Sequence, residues 1–252
     1  MADKPQVFLD RCGDIPLIYL LPVRQPRKRL VIFLSGFGAG KTKGQPYLEL
    51  LSAAGFHALS FDPWQHEDRR IESQEELMAR VHSNIRRHFW PILGRTIEEV
   101  PQVIDWAIDR FEIDPNRIGL GGISMGGDIA IAAAGIDRRI HVIGASLATP
   151  DWLRPGTKEK VGCPDEAAME AFQRYNPMNH LRRYRHRPAI DLQCGAADPV
   201  TPPGSADYFM EIMMAYYGEE ANRLRLQLHE GEHEMQDAMF ANHLEWFIQH
   251  LR

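Results

Sequence analysis

The segment RIGLGGISMGGDIAIAAAG, residues 117–135, narrows the possible folds more than any other stretch of this chain. An apolar, glycine-rich run of strand length passes directly into a helix built almost entirely of glycine, alanine and isoleucine. A helix without bulky side chains is suited to lie very close to a sheet. A strand that turns straight into such a helix belongs to a β-α unit, whose sheet is mostly parallel.

The rest of the chain repeats this alternation. Residues 6–10 and 15–21 read as an opening hairpin, and further strands fall at 30–34, 57–61, 117–122, 141–146, 188–195 and 223–229. Helices are expected from Pro46 to about Gly55, over 73–90 and 96–111, after Ser124, near 165–184 and 204–217, and over 235–251. Thr96 followed by Glu99 has the pattern of a capping box at the start of the 96–111 helix. No repeat, low-complexity tract or long linker interrupts the series, so residues 1–252 read as one α/β domain with helices on both faces of the sheet.

Composition then limits the partners. With 252 residues, 44% of them apolar, the chain can bury a large core. The formal charge of −5 contains no long run of one sign, and the basic stretches Arg24–Arg29 and His180–Arg187 are short, so nucleic acid is not expected as a partner. Cys12, Cys163 and Cys194 lie far apart without metal-ligand spacing, which points to reduced thiols, no metal and a cytoplasmic setting. The opening residues, with Asp3 and Asp10, lack the basic and apolar regions of a signal peptide, and the longest apolar run, IPLIYLLPV, is too short to span a bilayer. The sequence neither requires nor excludes a homo-oligomer.

One motif invites a wrong turning. SGFGAGKT, Ser35–Thr42, differs from the phosphate-loop pattern G-x-x-x-x-G-K-[ST] only at Ser35. In a phosphate loop the helix begins at the Gly-Lys-Thr, so that its N-terminal N–H groups face the phosphates. Here Gly44 and Pro46 follow at once, and Pro46 fits only the first turn of a helix that starts later. Lys41 and Thr42 are therefore expected on a surface segment, and a nucleotide is not expected.

GGISMGGD carries a different chemistry. Gly122, Ser124 and Gly126 form G-x-S-x-G at a strand-turn-helix junction, the setting of a nucleophile elbow. Glycines alone are explained by close helix-sheet packing, whereas a serine at the apex is not. Serine is a weak nucleophile and needs a base, which itself needs an orienting carboxylate. Later in the chain, the strand AIDLQCG runs into Asp198 and the strand RLRLQLHEG runs into His233. His229 is the alternative base, although it lies within its strand, and Asp191 is expected to face away or make a structural bond.

In these motifs, and over nearly its whole length, the sequence resembles the α/β-hydrolase family. FWPILGRTIEEVPQVIDWAIDRFEIDPNRIGLGGISMGGDIAIAAAGID and GAADPVTP are similar to small bacterial esterases related to dienelactone hydrolases and to the catalytic domains of prolyl oligopeptidases. The resemblance implies an eight-stranded, mostly parallel sheet, a triad of Ser124, Asp198 and His233, and no cofactor. It also implies that the loop after the third strand supplies an oxyanion-hole N–H, which falls to Phe37, with Met125 N–H as the second donor.

About forty residues separate the strands at 141–146 and 188–195, which suggests a small helical lid near 150–186. Trp64 and Trp152 are candidate pocket walls, and either aromatic serves equally well as core. The expected activity is hydrolysis of a small-molecule ester with a short or compact acyl group. A peptidase or amide hydrolase would share the triad, and a non-catalytic binding protein would share the fold.

Overall fold

The computed structural model describes residues 5–23 and 28–252. Asp3 and most of the basic run Arg24–Arg29 lie outside the described residues. The other basic stretch forms a short 3-10 segment, Leu181–His186, whose Tyr184 is buried and donates its hydroxyl to Ile131 O.

Eight strands form one sheet: β1 (Val7–Cys12), β2 (Ile15–Leu20), β3 (Leu30–Leu34), β4 (His57–Phe61), β5 (Ile118–Ile123), β6 (Ile140–Ser146), β7 (Ala189–Gly195) and β8 (Leu224–His229). Their spatial order is β1-β2-β4-β3-β5-β6-β7-β8. The β1-β2 and β2-β4 pairs are antiparallel, and every other pair is parallel. Among the described residues there are seven α-helices: α1 (Gln45–Ala53), α2 (Gln74–Ser83), α3 (Ile85–Phe111), α4 (Met125–Ala134), α5 (Glu166–Tyr175), α6 (Gly204–Tyr217) and α7 (Asp237–His250).

The central strand β3 is apolar at every position because both faces of the sheet are covered. In β3, Leu30, Ile32 and Leu34 join the core beneath α3 and α4, whereas Val31 and Phe33 join the core beneath α1 and α7. The glycine-rich β5 owes part of its composition to the second of these faces. A Cβ at Gly119 would stand 2.8 Å from the Phe247 ring of α7, and one at Gly144 of β6 would stand 3.0 Å from the His243 ring. The glycines thus let α7 approach the sheet closely.

The two helices expected over 73–90 and 96–111 are divided elsewhere. The break falls at Asn84, which caps α3 by accepting from Arg87 N–H, and α3 then runs for 27 residues through Pro91 and Pro101. Packing on the core outweighs the backbone hydrogen bond that each proline removes. Thr96 is no cap: its hydroxyl donates to Ile92 O at 2.8 Å and accepts from Trp64 N–H at 3.1 Å. Glu99 instead makes a bidentate pair with Arg69, at 2.6 Å for both bonds. The capping box is at Ser73 and Glu76, opening α2. Among the described residues, no helix is long and apolar enough to cross a membrane.

Candidate active site

Ser124 stands at the junction of β5 and α4 with φ +51° and ψ −114°, a backbone conformation that side chains rarely adopt. The turn is tight enough that a Cβ on Gly126 would run into the Leu34 carbonyl, and one on Gly122 would run into the backbone of Gly126. The Ser124 N–H donates to Ser146 O of β6 at 2.8 Å, tying the turn to the sheet.

The structure brings the three predicted polar residues together from three loops at the C-terminal edge of the sheet. Ser124 Oγ lies 3.0 Å from His233 Nε2, and His233 Nδ1 lies 2.7 Å from Asp198 Oδ2. Asp198 is 4% exposed, and its other oxygen accepts N–H bonds from Val200 (2.8 Å) and Thr201 (2.9 Å). Burial alone would raise its carboxyl pKa. The hydrogen bonds from His233, Thr201 and Val200 outweigh that effect and hold it below the usual aspartate range.

The rival base is engaged elsewhere: His229 Nε2 is 2.7 Å from Gln193 Oε1. Asp191 makes structural bonds, and these form a second Ser-His-Asp alignment that the sequence reading missed. His243 Nδ1 lies 2.7 Å from Asp191 Oδ2, and His243 Nε2 lies 2.7 Å from Ser146 Oγ. Ser146, Asp191 and His243 are each 0% exposed, so no substrate reaches this set.

Ser124 and His233 open into a cavity of about 340 Å³. Phe37, Val81, Ile85, Phe89, Leu147 and Met235 form its apolar walls, and Arg154 and Glu159 form a polar side. Arg154 is held on the buried Asp128 of α4 at 2.9 Å and on Glu159 at 2.7 Å. Neither expected tryptophan lines this cavity. Trp152 is buried in the core, accepting from Trp90 Nε1–H through its carbonyl, and Trp64 stands between the guanidinium groups of Arg69 and Arg95.

The segment near 150–186, expected as a lid, includes α5 and the loop that precedes it. Its helix α5 packs along α3, with Phe172 stacked on Trp90, and only the preceding loop reaches the cavity, through Arg154 and Glu159. The α2-α3 corner supplies the larger cover. That corner was hard to find because a helix-helix junction carries no chemical motif.

Gly36 and Phe37 border the cavity, and a Cβ on Gly36 would be 3.6 Å from Ser124 Cβ. Met125 is the first residue of α4, so its N–H has no acceptor within the helix. Lys41, expected at the surface, is buried: its ammonium lies 2.9 Å from Asp62 and 2.7 Å from Asp68. Two backbone donors of the phosphate-loop look-alike are occupied too. Lys41 N–H donates to Asp62 Oδ1 at 2.9 Å and Thr42 N–H to Glu67 Oε2 at 3.2 Å. Carboxylates of the chain itself occupy these donors.

Residues 93–252 match the prolyl oligopeptidase family. The chain belongs to that family. Among curated relatives, a putative esterase of Bacillus subtilis, YitV, is 25% identical over 98% of this chain and 99% of its own length. Among solved structures, TT1662 from Thermus thermophilus superposes with a TM-score of 0.79 at 20% identity, covering 98% of this chain and 99% of that one. A puromycin-hydrolysing peptidase of Mycobacterium tuberculosis reaches 0.72 at 17% identity, and this prolyl oligopeptidase family member covers 39% of it. The fold is that of the α/β-hydrolases, and the family is one of esterases and peptidases. Among the described residues, no group of three or more His, Cys, Asp or Glu side chains is placed to hold a metal ion.

Proposed function

We propose that this single α/β-hydrolase domain is a cytoplasmic carboxylesterase that cleaves compact esters through Ser124, His233 and Asp198. The observation that carries the reading is the continuous hydrogen-bond path from Asp198 through His233 to Ser124 Oγ, ending at the wall of an apolar cavity. His233 takes the Ser124 hydroxyl proton as Oγ bonds to the ester carbonyl carbon. The Phe37 and Met125 N–H groups stabilise the oxyanion of the tetrahedral intermediate. Collapse breaks the bond to the alcohol, which leaves with the proton from His233. Water, deprotonated by the same histidine, then releases the acid from the acyl-serine. Asp198 fixes the tautomer that keeps Nε2 directed at Ser124 and stabilises the imidazolium.

The small volume and apolar walls favour a short acyl group, with the α2-α3 corner and the Arg154–Glu159 loop as the cover over it. The three unpaired cysteines support the cytoplasmic placement. Hydrolysis of p-nitrophenyl acetate, butyrate and octanoate beside an aminoacyl-nitroanilide tests the proposal. Turnover of the short esters is the expected result. Preference for the anilide would make the chain a peptidase, and no turnover with no labelling by a fluorophosphonate would make it a binding protein.

A further inference from the structure

The loop after β3 holds no histidine of its own, and Ser35 precedes its Gly36. The structure supplies a histidine from another segment. Gly36–Ala39 is a turn closed by Ala39 N–H donating to Gly36 O at 3.1 Å, with Gly38 at φ +81°, the sign a type II turn requires at its third residue. The closing bond leaves the N–H groups of Phe37 and Gly38 outside the turn. Gly38 N–H donates to His66 Nε2 at 3.1 Å, whereas no acceptor among the described residues takes the Phe37 N–H.

His66 is 1% exposed, and its other ring nitrogen, Nδ1, lies 2.8 Å from Trp64 O. A carbonyl only accepts, so Nδ1 carries the proton and Nε2 presents the lone pair that Gly38 needs. The ring is therefore neutral, as its burial also favours by pushing its pKa down. It also meets the Phe37 ring edge-on at 5.5 Å, and Phe89 meets the same ring at 5.5 Å.

We propose that His66 is a positioning residue that holds the Gly36–Ala39 turn so that the Phe37 N–H faces the developing oxyanion. The proposal rests on the ester-hydrolase reading above. It gives a sharp role to a side chain that touches no substrate. Loss of the Nε2 acceptor frees the Gly38 peptide to rotate, and the neighbouring donor leaves the position at which it is effective.

The test compares His66→Leu and His66→Gln with wild type on p-nitrophenyl butyrate. Leucine fills the space without an acceptor, and glutamine reaches as far as Nε2 and restores one. His66→Leu should lower kcat by about 10–10²-fold with KM within about twofold, and His66→Gln should recover most of the loss. A leucine variant with wild-type kcat, a glutamine variant no better than leucine, or a change confined to KM overturns the proposal. If the leucine variant does not fold, ring-nitrogen NMR of histidine-labelled wild type decides. The signal missing from His66→Gln should report protonated Nδ1 and bare Nε2, and the opposite tautomer overturns the proposal. Wild type that turns over no ester defeats the functional reading instead, whereas active wild type with indifferent His66 variants defeats only the clamp.

Discussion

Lys41 Nζ and Asp62 Oδ2 are 2.9 Å apart with side chains 4% and 0% exposed, an ion pair sealed behind the loop that borders the cavity. Burial works against the Lys41 charge, but the hydrogen bonds it donates to Asp68 and Asp62 outweigh it, and the ammonium is held above the ordinary lysine range. Lys41→Met leaves Asp62 buried without its cation, and should cost about 3–5 kcal/mol in urea unfolding. Asp62→Asn added to Lys41→Met should recover part of that loss. Because carboxylates already take the Lys41 ammonium and the N–H groups of Lys41 and Thr42, ATP with magnesium should leave the melting temperature of wild type unchanged.

Ser124→Ala, His233→Ala and Asp198→Asn should each give a folded protein by circular dichroism. Activity on p-nitrophenyl butyrate should fall by about 10⁴–10⁶-fold for the first two and by less for the third. A fluorophosphonate should label Ser124 alone in peptide mapping. Inactivity of His229→Ala with activity retained in His233→Ala would reassign the base.

Phe37→Ala keeps the N–H and should retain most of kcat, with KM altered because the ring lines the cavity. Phe37→Pro deletes the donor and should lower kcat by roughly 10²–10³-fold, about 2.7–4 kcal/mol of transition-state stabilisation. The two are compared by steady-state kinetics once near-ultraviolet circular dichroism shows that both are folded. A proline variant as active as wild type moves the oxyanion donor to another loop.

The buried Asp191 gives the protein a pH-dependent reserve of stability. Burial raises its carboxyl pKa, but His243 and Arg225 more than reverse this, so it titrates below the usual aspartate range. A depressed folded pKa contributes stability that is complete above the unfolded value of about 3.9 and is lost as pH falls through the folded value. Asp191→Asn should therefore melt several degrees lower than wild type at pH 7, with the gap closing below about pH 4. A gap that widens on acidification contradicts this assignment.

The legible parts of the sequence were those governed by local pattern. The eight strands fall within one or two residues of their expected positions because each is a short apolar run bounded by turn residues. Ser124, Asp198 and His233 could be found because each follows closely on a strand, in an order that a chain of this kind permits. The cavity walls could not: Val81, His82, Ile85 and Phe89 sit at a corner whose position depends on which prolines a long helix tolerates. Thr96 and Glu99 misled because a capping box is only a spacing, and the partners that claimed them, Trp64 and Arg69, are about thirty residues away. His66 lay hidden for the same reason, 28 residues from the Gly38 amide it accepts from.

The strand order also has a meaning in time. From β5 onward each new strand lies beside the one made just before it, so β6, β7 and β8 extend the sheet in the order in which a ribosome delivers them. From β5 onward the growing sheet is therefore extended at one advancing edge with no gap left to fill, which limits the exposed pairing surface that promotes aggregation during synthesis. Ser124 emerges more than a hundred residues ahead of His233, so the hydroxyl stays without this hydrogen-bond partner until β8 and the loop that follows it have been added.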